Sequence, residues 1–147
     1  MYLDTAVEEE HNWKLARKYD AITREITKAE THLVDDARMV VIAYGTSARV
    51  AKGAVKNARE IGLRVGLLRP ITLWPFPALL LRKISRSVED FLVFEMSTGQ
   101  MVEDVKLALE GRSNVHFHGR PGGSIATPDE IFKVITKLYH RRHLEEG

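Results

Sequence analysis

The sequence predicts an α/β fold of three layers, a mostly parallel open sheet with helices on both faces, and three observations carry that prediction. The run Met39-Val40-Val41-Ile42-Ala43 is continuously apolar and largely β-branched, as a strand buried on both faces requires. Shorter runs of the same character alternate with stretches of helical period, and that alternation implies parallel strands joined by right-handed crossovers. The 147 residues, 44% of them hydrophobic, suffice for one core of ordinary size with an appended helix.

The chain opens with a long amphipathic helix, because Leu15, Tyr19, Ile22, Ile26, Ala29 and Leu33 recur at steps of three or four between charged residues. Its stripe must cover either the body of the chain or a partner, since a lone helix of this kind is seldom stable in water. This front segment, residues 1–36 with its linker, is set apart from an α/β unit at 37–147. Residues 1–38 carry nine acids and six bases, and the rest eleven acids and sixteen bases.

After the strand at 39–43 and the turn at Gly45, the residues Val50, Ala51, Ala54, Val55, Ala58 and Ile61 mark one face of a helix that Gly62 closes. A second strand runs from Arg64 to Leu68 and stops at Arg69-Pro70, where the residue before proline is pushed away from helical geometry. A short helix over about 78–84 follows Pro75 and Pro77. The third strand, Phe91 to Phe94, leads into Glu95-Met96-Ser97-Thr98-Gly99-Gln100, in which Ser97 and Gln100 have capping-box spacing, and Val102, Val105 and Leu109 supply the next helical face. Val115 to His118 is a short fourth strand suited to an edge. A glycine-rich loop, Gly119 to Ser124, then leads to Thr127-Pro128-Asp129-Glu130, a capping box with proline at the first helical position, and to a last helix that buries Ile131, Val134, Ile135 and Leu138.

Composition excludes several function classes. The longest nearly apolar stretch, Ile71 to Leu81, has eleven residues and two prolines, against roughly 20 for a membrane-crossing helix. The acidic start lacks the basic and apolar regions of an export signal, so a cytoplasmic location is expected. With no cysteine the chain supplies no thiolate for an iron-sulfur cluster, a disulfide or a nucleophile. A net charge of +2, spread along the chain, does not make a nucleic-acid surface.

In such folds ligands gather beyond the carboxyl ends of the strands, which selects the loops at 44–49, 69–77, 95–100 and 119–124. Gly45, Thr46, Ser47 and Arg49 put a turn, two hydroxyls and a cation at a helix start, where free N–H groups and the dipole favour an anion. Two readings stand there, an anion site or a local cap by Thr46 or Ser47 with Arg49 solvated; neither GxGxxG nor a P-loop is present. Arg69 and Pro70, followed by Trp74 and Phe76 among prolines, form either a partner-contact surface or a lid on the core. Glu95, at the end of a buried strand, is a candidate acid, base or oriented acceptor, and equally a helix cap or ion-pair partner. His116 with His118, and His140 with His143, are potential metal ligands only if further groups converge on them, and surface hydrogen bonding accounts for them as well. No metal site is assigned. Arg141 and Arg142 near the last helix's end fit dipole pairing.

Four segments together resemble part of the alpha subunit of 2-oxoacid:ferredoxin oxidoreductases, the carboxyl-terminal domain related to that of transketolase. They are AYGTSAR (Ala43 to Arg49), VGLLRPITLWPFP (Val65 to Pro77), FEMSTGQMVEDV (Phe94 to Val105) and GRPGG (Gly119 to Gly123). Their order and spacing fit the family, and a helix before the first strand fits too. The resemblance implies a transketolase C-terminal-like fold and a part in oxidative decarboxylation of a 2-oxoacid to its acyl-coenzyme A ester. It also implies that thiamine diphosphate and iron-sulfur clusters, with ferredoxin and coenzyme A, belong to the complete complex. No cofactor is expected on this chain alone, nor a membrane or nucleic-acid partner, and the glutamate that activates the cofactor lies in another domain, so turnover by the chain alone is not expected. Carried over by position, Gly45, Thr46, Arg49, Arg69, Pro70, Glu95, Gly99 and Gln100 match the family-like loops and are assigned to domain packing or to one edge of the substrate or coenzyme A approach, none to proton transfer. Ser97 stands where the family often has asparagine. Two other readings remain: a stand-alone phosphate- or nucleotide-binding module using Gly45 to Arg49, and a transketolase-like component without ferredoxin.

Overall fold

A computed structural model describes residues 4–145, with side chains to 141. Helix α1 spans Thr5–Ile26, strand β1 Ala29–His32, β2 Met39–Ile42, α2 Gly45–Glu60, β3 Val65–Pro70, α3 Ala78–Ile84, β4 Asp90–Glu95, α4 Met101–Leu109, β5 Asn114–Gly119 and α5 Pro128–Glu145. The sheet order is β1-β3-β2-β4-β5, with β1 antiparallel to β3 and every other pair parallel. The expected α/β fold is therefore present.

The central strand β2 is wholly apolar, and it and its neighbour β4 are buried along their whole length. One face of the sheet, through Met39, Val41, Leu67, Leu92 and Phe94, packs on the apolar faces of α2 and α5. The other, through Val40, Ile42, Leu68, Phe91 and Val93, packs on α3 and α4. Ile131 and Ile135 of α5 are buried, while Val134 and Leu138 pack half-buried beside them.

The front of the chain departs from the helical reading. Apolar steps at Ala29 and Leu33 fit a helix, yet α1 ends at Ile26 and Thr27 is extended. The Lys28 N–H donates to Thr72 Oγ1 (3.0 Å), and Ala29–His32 pairs residue by residue with Pro70–Leu67. Pairing with β3 satisfies the backbone groups of these four residues and covers what is otherwise an open sheet edge, in place of a seventh turn of α1. The 1–36 segment thus contributes a strand to the same sheet as the residues after it. No residue of α1 is fully buried: Leu15 and Ile22 of its stripe are half-buried, while Tyr19 and Ile26 are exposed.

Two local devices fix the edges of the sheet. Leu33, at φ 55°, turns the chain across β3, where a Cβ on Gly66 would come within 2.7 Å of the Leu33 carbonyl oxygen; the glycine permits that crossing. Arg59 of α2 donates to both carboxylate oxygens of Asp36 (2.7 and 2.8 Å), to the Leu33 carbonyl (2.7 Å) and to the Val65 carbonyl (2.7 Å). The hydrogen bond from Arg59 holds the exposed Asp36 carboxyl below its ordinary range and in return raises the guanidinium's own value.

Candidate functional site

The strands β2, β3, β4 and β5 all point their carboxyl ends to one side. Because β2 leads to α2 on one face and its neighbour β4 leads to α4 on the other, the topological switch lies between them. The loops selected from the sequence surround that point.

On the α2 face, β1 lies beyond the reach of α2 and leaves a trough of about 330 Å³. Its floor is Glu30, Thr31 and His32 of β1 with Leu67 and Arg69 of β3; its wall is Gly45, Ala48, Arg49 and Lys52 of α2. Glu30 and Arg69 face each other across the β1–β3 pair and are joined at 3.1 Å, both exposed. Arg49 and Lys52 have neither a hydrogen bond nor an ion pair among the described residues. Tyr44 occupies the N-cap of α2 without a side-chain hydrogen bond, and Gly45 enters the helix at φ 54°. Thr46 is exposed, Ser47 is buried, and neither caps α2. The first N–H groups of the helix are left to water or to a ligand.

Glu95 is wholly buried, yet three donors converge on its carboxylate. The Met101 and Val102 N–H groups each donate at 3.0 Å, one to each oxygen, and Ser97 Oγ donates at 3.1 Å. Two of the free N–H groups at the start of α4 are thereby satisfied by a strand-end carboxylate rather than by the capping-box pair. Gln100 stands at the N-cap in helical conformation with no side-chain bond, while Ser97 Oγ accepts from the Gly99 N–H at 3.4 Å. Of the roles open to Glu95, the geometry shows the cap. Gly99, at φ 109°, also leaves room for the Phe117 ring, which a Cβ there would meet at 3.1 Å.

The loop at 69–77 divides. Pro70 is buried at the end of β3, Phe76 packs against the α3–α4 core, and the Trp74-Pro75 bond is cis. Trp74 instead projects with 64% of its surface exposed, and the Tyr19 ring of α1 meets it edge-on at 5.6 Å between centroids. Ile26, Ile71 and Leu73 are exposed as well, with the loop tied to the start of β1 through Thr72.

In the fourth loop, Glu130 accepts from Arg120 (3.2 Å) and pairs with His118 (3.0 Å), while Arg120 also reaches Ser124 Oγ (2.7 Å). His116 lies on the same face of β5 but is paired with Asp90 (3.0 Å), so each imidazole has its own carboxylate. No group of three His, Asp or Glu side chains fit for a metal ion occurs among the described residues. The side chains of Arg142 and His143 lie outside them.

The structure thus brings Gly45, Arg49 and Arg69 together in the trough, and Glu95 and Gly99 around the start of α4. Trp74 and Phe76, adjacent in sequence, face different surroundings. Sequence reasoning missed Lys52, although its step of three from Arg49 on a helix placed both on one face. Glu30 and His32 carried no signal without β1.

The chain matches the family described as pyruvate:ferredoxin oxidoreductase core domain II over residues 37–131. It is 42% identical over 138 residues to the ketoisovalerate oxidoreductase subunit VorB of Methanothermobacter marburgensis, covering 94% of this chain and 39% of the relative. It is 36% identical over 140 residues to the 2-oxoglutarate synthase subunit KorA of Methanothermobacter thermautotrophicus, covering 93% and 37%. The chain therefore spans well under half the length of these relatives. In fold it is similar to a 2-oxoglutarate:ferredoxin oxidoreductase from Magnetococcus marinus solved with 2-oxoglutarate, coenzyme A and succinyl-CoA, at a TM-score of 0.76 and 19% identity over 92% of this chain and 24% of that one. A split-gene transketolase in its inactive beta4 tetramer is similar at a TM-score of 0.62 and 13% identity, covering 77% of this chain and 41% of that one.

Proposed function

Because the chain belongs to the pyruvate:ferredoxin oxidoreductase core domain II family, we propose that it is a component of a 2-oxoacid:ferredoxin oxidoreductase, the carboxyl-terminal domain of an alpha-type subunit. The complete complex oxidatively decarboxylates a 2-oxoacid to its acyl-coenzyme A ester, in the cytoplasm, with thiamine diphosphate and iron-sulfur clusters. The family match over residues 37–131 carries this reading.

The residues of the chain support a division of labour. No cysteine is present to ligate a cluster. Glu95, wholly buried near the strand ends, is engaged by three donors of its own chain as the cap of α4. No reaction step is assigned to this chain. Its part is assembly and the shaping of the active-site approach, with β1 completing the sheet of the α/β unit at 37–147 and helix α1 reaching toward a partner. The exposed apolar group of Tyr19, Ile26, Ile71, Leu73 and Trp74 supports that part, since contiguous exposed apolar surface marks interaction sites and buried aromatics anchor them. No helix among the described residues is long and apolar enough to cross a membrane.

The test uses the tagged chain as bait in an anaerobic extract of its source organism, with mass spectrometry and cofactor analysis of what is retained. Recovery of subunits carrying thiamine diphosphate and iron-sulfur clusters, lost with Trp74→Ala/Tyr19→Ala, is the expected result. A folded bait that retains neither overturns the proposal.

A further inference from the structure

We propose that the trough between β1 and α2 is a binding site for a diphosphate group. The neighbouring cations of α2 have acidic partners: Lys56 lies 3.8 Å from Glu60, and Arg59 is bidentate on Asp36. Arg49 and Lys52, a turn earlier and facing the trough, have none among the described residues. A third cation, Arg69, rises from the opposite floor, paired among the described residues with the exposed Glu30 at 3.1 Å. Exposed ion pairs of that kind contribute little, so an anion of higher charge displaces Glu30 readily.

Three cations against one carboxylate, drawn from a helix wall and a sheet floor, match an anion with two charged centres better than a single phosphate. Arginine suits the task because its planar fork pairs with phosphate oxygens, while lysine adds a point charge. The volume of about 330 Å³ lies at the lower end of the range for small-molecule sites. Leu67 and Ala48 supply an apolar strip beside the cations, on which the organic part of a nucleotide diphosphate can rest. This site is separate from the Trp74 surface and calls on no chemistry of the complete complex.

Titration calorimetry of the chain in phosphate-free buffer, with inorganic diphosphate as the probe, tests the proposal. Saturable one-to-one binding is expected, weakened about tenfold or more in Arg49→Ala/Lys52→Ala, as loss of two charge-assisted contacts implies. Glu30→Gln tightens binding, because it frees Arg69 and removes a repelling charge. Arg86→Ala removes one exposed charge after α3, on the other face of the sheet, and leaves binding unchanged. Circular dichroism confirms that each variant is folded. Parallel titrations with ADP and coenzyme A separate the sources: equal affinity assigns recognition to the diphosphate alone, and tighter binding adds the organic part. Absence of saturable binding at millimolar diphosphate, an unaffected double variant, or an equal loss in Arg86→Ala overturns the site. Loss of partner capture with diphosphate binding intact overturns the assembly role and leaves this site standing, and the reverse result does the opposite.

Discussion

Glu95 is the point at which a buried charge-bearing group, a strand end and a helix start meet, and its replacement by glutamine has a calculable cost. The carboxylate accepts from Met101, Val102 and Ser97 at 3.0 to 3.1 Å with no exposure to solvent. Glutamine preserves the shape but keeps a single acceptor oxygen, so its amide group meets one of the two backbone donors hydrogen to hydrogen. A hydrogen bond to a charged group contributes about 1.5–3 kcal/mol, and an orphaned buried donor costs about 1–3 kcal/mol. A loss of about 3 kcal/mol is expected for Glu95→Gln, a large part of the roughly 5–15 kcal/mol that holds an ordinary domain together. Ser97→Ala removes only the hydroxyl and costs about 1 kcal/mol, and the double variant is less than additive because both act on one carboxylate. Urea unfolding followed by far-ultraviolet circular dichroism reads these values as midpoint shifts, with an unchanged slope showing that compactness is preserved. Hydrogen exchange gives the local readout: the Met101 and Val102 amides lose protection in Glu95→Gln before the Val105 amide does. A loss below about 0.5 kcal/mol, the range of an inconsequential surface change, refutes the capping argument. Persistent protection of both amides does the same.

Three further outcomes follow from the same geometry. The Asp36 carboxyl is held below its ordinary value by Arg59, so its contribution is complete above the unfolded value and disappears as pH falls through the lower folded value; the stability gap between the wild type and Asp36→Asn is therefore constant near neutrality and closes in strong acid, as pH-dependent urea melts will show. Gly66→Ala drives a Cβ to 2.7 Å from the Leu33 carbonyl and 3.0 Å from the Val34 Cα, both backbone atoms; overpacking of that kind costs about 1–3 kcal/mol, measured as a lowered Tm. Thr127 Oγ1 accepts the Glu130 N–H at 3.2 Å and caps α5; Thr127→Ala costs about 1 kcal/mol by urea unfolding, and Thr127→Ser recovers most of it.

The order of strands and helices after residue 38 was legible because hydrophobic pattern and turn chemistry are local. The continuous, β-branched apolar run at 39–43 suits a doubly buried strand, and Thr127-Pro128 with Glu130 carries the local chemistry of a helix start. The resemblance of four short segments to one enzyme family was legible for the same reason, since each is contiguous. Contacts between distant segments were not. Apolar spacing at Ala29 and Leu33 satisfies a helix and a strand alike, and the choice is made by β3, whose open edge offers hydrogen bonds that no property of residues 29–32 announces. Glu95 looked like a candidate for several roles until the start of α4 folded back onto it, leaving its two oxygens facing two backbone donors and a hydroxyl. Trp74 and Phe76 are alike in chemistry and two residues apart, yet only one finds space in the core. Likewise Arg49, Lys52, Arg69 and Glu30 share a trough only because β1 pairs antiparallel at the sheet edge beyond α2. Local structure follows from short-range stereochemistry and period, whereas burial, pairing and the company a charge keeps depend on which remote segment arrives beside it.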